Sequence, residues 1–268
     1  MISIIIVQYN KPELTKQCIK SVSKHCGVPH EIILVDNNSE DPEARSLGAT
    51  LPGIRFLQNT ANEGFGKANN KAAAVARGDI FFFLNNDTIV ENDLFIPIRE
   101  LIDNDRRIGI VGPRLLNQDH SLQLSAGSLP SILTETKDRL FYRRFEARAQ
   151  AAVEHAHQLF SVTREVEWVT GAALFIRRNL FESLGGFDEE FFMFFEDKDL
   201  CLRARLLGAK VVYSAGTSLV HLRGASASSA TNGLYRASQL RYYGKHRSQF
   251  EQVLLKVYLR IRKWEYGE

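Results

Sequence analysis

Four short runs of apolar, mostly β-branched or aromatic residues punctuate the first third of the chain: Ile2–Val7, Glu31–Asp36, Ile54–Gln58 and Ile80–Leu84. Near-continuous apolarity over so few residues is the mark of strands buried on both faces. The stretches between them read as helices. Pro12–His25 opens with proline near a helix start, Asp41–Leu47 is expected to stop at Gly48, and Lys67–Arg77 is alanine-rich. Strand–helix–strand alternation with short connections predicts right-handed βαβ units, a mostly parallel sheet and helices on both of its faces. A further helix around Leu94–Ile102 precedes a fifth strand at Ile108–Val111.

Beyond Pro113 the pattern loosens. Residues 114–165 carry Gly, Ser and Pro punctuation at Ser125–Pro130 and then a basic, alanine-bearing helical stretch, which reads as an inserted lobe facing an acceptor. Val166–Ile176 is strand-like, a helix is expected from Glu196 to before Gly208, and Lys210–Ser214 is another strand. In the tail, Phe250, Val253, Leu254, Val257, Tyr258, Ile261 and Trp264 follow the spacing of one helix face, opposite Lys256, Arg260, Arg262 and Lys263.

With 44% hydrophobic and 24% charged residues in 268, the chain is globular, which removes disordered, collagen-like and disulfide-scaffold classes. A net charge of +3 gives no reason to expect a nucleic-acid partner. The excess sits in the tail, where residues 240–268 hold seven Lys/Arg against three Asp/Glu. That helix is expected either to lie on an anionic membrane surface or to pack on the rest of the chain. Three cysteines without a Cys-x-x-Cys pair fit a reduced cytoplasmic protein. The opening apolar run is too short for a leader, and no run approaches the length of a membrane span.

Ligands of open α/β sheets bind beyond the carboxyl ends of the strands. Three of those ends are polar here: Gln8-Tyr9-Asn10, Asp36-Asn37-Asn38-Ser39 and Asn85-Asn86-Asp87-Thr88. A dinucleotide fold would need Gly-x-Gly-x-x-Gly after the first strand, where Gln8-Tyr9-Asn10-Lys11-Pro12 stands instead. The glycine-bearing loop follows the third strand, as Asn62-Glu63-Gly64-Phe65-Gly66-Lys67-Ala68-Asn69-Asn70. Ala68 after Gly66-Lys67 also fails the P-loop pattern.

Together these segments resemble an inverting nucleotide-sugar glycosyltransferase of family 2, with the GT-A fold. Trp168-Val169-Thr170-Gly171-Ala172, Gly186-Phe187-Asp188-Glu189, Glu196-Asp197-Lys198-Asp199-Leu200 and Val220-His221 extend the likeness to the bacterial rhamnosyltransferase-like branch, over residues 2–224. The resemblance implies a Rossmann-like, mostly parallel central sheet flanked by helices, plus a helical tail. The expected division is a nucleotide-sugar half over 1–112, a catalytic and acceptor half of the same domain over 113–225, and the tail over 226–268.

The resemblance also distributes roles. Tyr9, Asp36, Asn38, Gly64, Gly66, Asn70 and Asn86 would hold the donor, a dTDP- or UDP-sugar. In that scheme Asp36 accepts the imide N–H of the base, and Tyr9 packs on the nucleoside. Asn70 and the two glycines line the diphosphate approach. Asp87 and His221 would bind Mn²⁺ or Mg²⁺, which neutralises the departing diphosphate. Asn85 stands where the family usually has an aspartate, which lowers the negative charge there. Trp168, Gly171 and Glu196 would face the acceptor, a glycan or lipid-linked saccharide, and Asp197 would be the general base. Asp199 has a simpler account as the i,i+4 partner of Arg203. The expected setting is the cytoplasm, with peripheral contact at the inner face of the plasma membrane through the tail, and the product a bacterial surface polysaccharide. A sugar-phosphate nucleotidyltransferase and an inactive nucleotide- or glycan-binding module are the rival readings.

Overall fold

A computed structural model describes residues 1–222 and 229–266, with the side chains of 229–231 and 261–266 left out of the description. The nucleotide half runs β1 (Ile2–Gln8), α1 (Pro12–His25), β2 (His30–Asp36), α2 (Pro42–Thr50), β3 (Arg55–Gln58), α3 (Gly64–Val75), β4 (Ile80–Asn85), β5 (Thr88–Ile89) and α4 (Phe95–Asn104). The middle of the chain adds β6 (Ile108–Leu116), β7 (Leu122–Gln123), β8 (Ala126–Gly127), α5 (Ile132–Glu146), α6 (Gln150–Leu159), β9 (Arg164–Val166), β10 (Trp168–Val169) and β11 (Ala173–Arg177). It closes with α7 (Arg178–Ser183), α8 (Glu196–Leu206), β12 (Lys210–His221), α9 (Ser229–His246) and α10 (Gln249–Tyr266).

The central sheet has the order β3-β2-β1-β4-β11-β6-β12-β5. Its first four strands are parallel, β11 enters antiparallel to both β4 and β6, and β12 returns parallel to β6. Strand periodicity explains why both faces are covered. Ile4, Ile6, Leu34, Phe82 and Leu84 point into one core with α1 and α4. Their neighbours Ile5, Ile33, Val35, Phe81 and Phe83 point into the opposite core with α3, α7 and α8. Phe82 stacks on Phe175 of β11 with ring centroids 3.7 Å apart, which seats the antiparallel strand.

Three expectations change. The segment 166–176 is three strands, not one, because the chain switches partners: β9 pairs with β12, β10 with β8, and β11 with β4 and β6. Helix α2 continues through Gly48 to Thr50. A Cβ on Gly48 would stand 2.5 Å from the Phe56 ring, so the glycine serves helix–strand packing and not termination. The division at residue 112 falls inside β6, so the two halves share one continuous sheet.

The tail packs and exposes at once. Leu255 is fully buried and, with Tyr258 and Leu259, joins a third cluster made by Leu129, Phe191, Phe195, Tyr242 and Tyr243. Of the predicted stripe only Tyr258 joins this contact; Phe250, Val253, Leu254 and Val257 are exposed. The side chains of Ile261 and Trp264, and of Arg262 and Lys263 on the basic face, lie outside the described residues, as do positions 226–228, where the tail is expected to begin. No helix among the described residues is long and apolar enough to cross a membrane.

Candidate active site

The strand order reverses between β1 and β4, the place where open sheets leave a crevice. Tyr9 follows β1 there with its side chain 43% exposed, and Asn10 and Lys11 beyond it both hold positive φ. Most of the other donor-side candidates turn inward. Asp36 is fully buried, and its carboxylate accepts from Gln8 Nε2 at 3.2 Å, from the Ser39 hydroxyl and from the Ser39 backbone N–H. It braces the turn that follows β2. Asn38 takes a left-handed conformation and accepts from Arg45, while Asn86 donates to Thr15 Oγ1 and ties the end of β4 to α1.

The glycine loop packs tightly. Gly64 has φ of +79°, and a Cβ there would lie 2.2 Å from the Phe192 carbonyl oxygen, which instead accepts the Phe65 N–H. A Cβ on Gly66 would press on Phe187 at 3.1 Å. Asn70 donates to the Phe187 carbonyl and accepts the Phe187 N–H, both at 2.9 Å. These residues clamp the 186–192 loop onto the start of α3. Asn37, which the sequence reading passed over, is the hub of the loop. It donates to Asn62 and the Gly64 carbonyl and accepts from Asn59 and the Glu63 N–H.

Asp87 and His221 do meet. Pairing of β12 with β5 sets His221 opposite Thr88, and His221 Nε2 lies 3.2 Å from Asp87 Oδ1. The other ring nitrogen, Nδ1, is 3.0 Å from Gln123 Oε1, the kind of outer contact that fixes ring orientation in metal sites. Asn85 Nδ2 stands 3.5 Å from the same Nε2. One carboxylate and one imidazole suit Mn²⁺ or Mg²⁺, and among the described residues no group of three or more such ligands forms. A cation here would complete its shell from diphosphate oxygens and water.

The acidic turn at the start of α8 lies beside this pair. Phe194 and Phe195 both adopt positive φ, 70° and 66°, a costly conformation for bulky residues that turns the chain sharply into Glu196. Asp197 accepts the Gly171 N–H at 2.9 Å on one oxygen and the Lys198 N–H at 2.7 Å on the other. Gly171 thus positions Asp197 through its backbone. The next residue's carbonyl, Ala172 O, receives the Asn85 N–H at 2.9 Å. A two-residue strip of backbone therefore links the carboxylate of Asp197 to the strand end carrying Asn85 and Asp87.

Glu196 is buried, and its Oε2 finds no hydrogen-bond partner among the described residues. Burial, reinforced by the adjacent Asp197 charge, pushes its carboxyl up to about 8. Asp199 behaves oppositely. Burial works against its charge, yet His246, Arg203 and Lys245, each at 2.7 Å, hold it down to about 2. The Arg203 pairing is as expected; the two contacts from α9 were not legible. Trp168 is half-buried on β10 with the Lys198 ammonium 4.5 Å from its ring centroid.

Residues 3–185 match the model of Glycosyl transferase family 2. The chain belongs to that family. The family 2 chain is 34% identical over 230 residues to the O-antigen biosynthesis protein RfbC of Myxococcus xanthus, covering 84% of this chain but 17% of that protein. It is 26% identical to an N-acetylglucosaminyl-diphospho-decaprenol L-rhamnosyltransferase of Mycobacterium tuberculosis, over 82% of this chain and 76% of that one. Rhamnosyltransferase WbbL of Escherichia coli shares 24% identity, with 82% and 83% covered. Among solved structures, GalNAc-T7 with UDP, GalNAc and Mn²⁺ superposes with a TM-score of 0.61 at 19% identity, over 89% of this chain and 47% of that one. A Pyrobaculum calidifontis mannosyltransferase in complex with GDP-Man and Mn²⁺ gives 0.58, over 91% and 63%. The fold of this family 2 glycosyltransferase is accordingly the GT-A fold.

Proposed function

We propose that the protein transfers a sugar, rhamnose in the first instance, from a dTDP- or UDP-sugar to a hydroxyl of a lipid-linked saccharide diphosphate, with inversion. The observation that carries this reading is the junction of two chemistries: Asp197 on one side of the Gly171-Ala172 backbone, and the Asp87–His221 pair beside Asn85 on the other. The names of the relatives favour rhamnose and a diphosphate-linked acceptor. Asp87 and His221 would hold a divalent cation, which supplies the charge that a departing diphosphate needs. Asp197 takes the proton from the attacking hydroxyl. Two backbone N–H donors fix the orientation of its carboxylate while leaving lone pairs to accept that proton. Attack from the Asp197 side, opposite the diphosphate, inverts the anomeric carbon. Tyr9 offers an open ring for the nucleoside.

A panel of nucleotide sugars, each with and without Mn²⁺, tests the donor side, since a ligand of the native state raises its melting temperature. dTDP- or UDP-sugars should raise it only with metal, and transfer from dTDP-rhamnose to a lipid-diphosphate N-acetylglucosamine should stop in EDTA. Full transfer with metal removed would overturn the assignment of Asp87 and His221.

The exposed stripe of α10 belongs to the same proposal. Lys256 and Arg260 are exposed alongside it. The α5 helix, which packs on α10, exposes Leu133 and Leu140 with Lys137, Arg143 and Arg144. Apolar residues flanked by cations suit an anionic bilayer, where a lipid-linked acceptor resides. Val253→Glu with Val257→Glu should reduce sedimentation with phosphatidylglycerol vesicles while leaving the melting temperature unchanged. Undiminished sedimentation would remove the bilayer from the proposal.

A further inference from the structure

A cavity of about 1330 Å³ opens behind Trp168, between α5, α6, β9, β10 and the two tail helices. It exceeds the ~300–1,000 Å³ of ordinary small-molecule pockets. Phe141, Leu159, Phe160 and Leu259 make part of its wall apolar, while Glu135, Lys198 and Gln239 make the part near the acidic turn polar. Lys198 is the link to the chemistry, because it follows Asp197 in the chain and lines the cavity.

The surroundings of this lysine are unusual for a half-buried cation. Its Nζ lies 4.5 Å from the centroid of Trp168 and 4.6 Å from that of Phe195, so two ring faces share the charge. Among the described residues no carboxylate stands within ion-pair distance of it. Three other cations on the cavity wall have partners: Arg139 the Tyr258 hydroxyl, Arg164 the Leu159 carbonyl and Arg205 the Glu167 carboxylate. An ammonium has three N–H donors, and ring faces do not use them as a phosphate would. Glu135, across the polar end, donates nothing that competes. Its Oε2 accepts from Gln239, its Oε1 has no partner among the described residues, and burial raises its pKa.

We propose that this cavity is the acceptor subsite, with the Lys198 ammonium receiving the acceptor's diphosphate and the apolar wall receiving the start of its lipid chain. The inference rests on the transferase reading above and adds the group that recognises the lipid-linked part of the acceptor. The polar end holds Lys198, the residue after Asp197 in the chain. The apolar end is walled by α5 and α10, the two helices whose outer faces expose the apolar and basic residues described above. A lipid chain would thus leave the cavity toward the surface proposed to meet the bilayer.

Geranyl diphosphate is a soluble probe for this site, and neutral geranyl glucoside is its control. With UDP and Mn²⁺ saturating the donor site, calorimetry should show geranyl diphosphate binding the wild type more tightly than the glucoside. Lys198→Met keeps the stem between the rings and should weaken the diphosphate at least tenfold while leaving the glucoside within twofold. Lys198→Arg should retain diphosphate binding within about threefold. Unchanged melting temperature and UDP affinity show that the variants are folded. Equal diphosphate affinity in Lys198→Met and wild type, or no preference of the wild type for the diphosphate, overturns the proposal. If the wild type binds no UDP with Mn²⁺, it is the transferase reading that fails, and the two probes are then compared without nucleotide by the same criteria.

Discussion

The polar residues of the nucleotide half and those of the acidic turn look alike in sequence and are used in opposite ways. Around β2 and α3, Asp36, Asn37 and Asn70 spend their hydrogen bonds on neighbouring side chains and on backbone. They build the loops that border the exposed Tyr9 and the largely buried Asp87–His221 pair. At the start of α8 the bonding is incomplete. Glu196 keeps a buried oxygen without a partner, Lys198 shares its charge with rings, and Asp197 is held only from its backbone side. A fully bonded polar group stabilises the fold; an incompletely bonded one is held in readiness for something else. The contrast separates scaffold from chemistry better than residue type does.

The sharpest way to break this comparison is at Asp197. Asp197→Asn cannot take a proton, so transfer should fall by about 10²–10⁴-fold, while calorimetry shows donor affinity within a few-fold of wild type. Normal turnover would move the base elsewhere, with Glu196 next in line. Asp199 is the exception that sharpens it, since it lies in the same turn yet is fully bonded. Asp199→Asn leaves Arg203, Lys245 and His246 without their common anion and should cost about 3–5 kcal/mol in denaturant unfolding. A loss no greater than that of Asp197→Asn would show that the turn is uniform.

On the scaffold side, Asp36→Ala removes the acceptor of the Ser39 N–H and hydroxyl and leaves Gln8 Nε2 only the Ala44 carbonyl. The expected loss is about 1–3 kcal/mol of stability, with donor affinity following only as far as the loops loosen. A stable variant with donor affinity lowered tenfold would return Asp36 to direct contact with the base. The last test concerns pH. The Glu196 carboxyl sits at about 8 in the folded chain against an ordinary 4.5, so the folded state holds the extra proton between those values. Stability is then fullest below about 4.5 and declines as pH rises through about 8. Urea unfolding should find the wild type weaker at pH 8 than at pH 5.5, and Glu196→Gln should flatten that difference. A wild type equally stable at both would show the carboxyl ionising freely.

What could be read in advance followed from strong local signals. The apolar runs at Ile2–Val7 and Ile80–Leu84 could be little but buried strands, and proline marked the start of α1 to the residue. The meeting of Asp87 with His221 came from the resemblance alone; nothing in the local pattern says that the long stretch between them brings β12 beside β5. Glycines were the weakest signal. Gly48 reads as a helix stop, because a glycine reports that something approaches closely without saying what. The group approaching Gly48 is Phe56, and Gly64 and Gly66 are likewise met by Phe192 and Phe187. Likewise Gln123, which orients His221, and Lys245 and His246, which clamp Asp199, carry no signal until long-range pairing places them.

Strand β12 carries one further consequence. It takes part in the cavity region through its pairing with β9 at Val211–Tyr213 and in the Asp87–His221 pair through its pairing with β5 at Val220–His221. Between those ends its register against β6 jumps, from Ser214 opposite Pro113 to Ser218 opposite Arg114. The irregularity works as an expansion joint. A change of length between 214 and 218 is absorbed where pairing is already broken, so neither end is forced to slip and turn its side chains to the wrong face. Insertions at this seam should therefore leave His221 opposite Thr88 on β5.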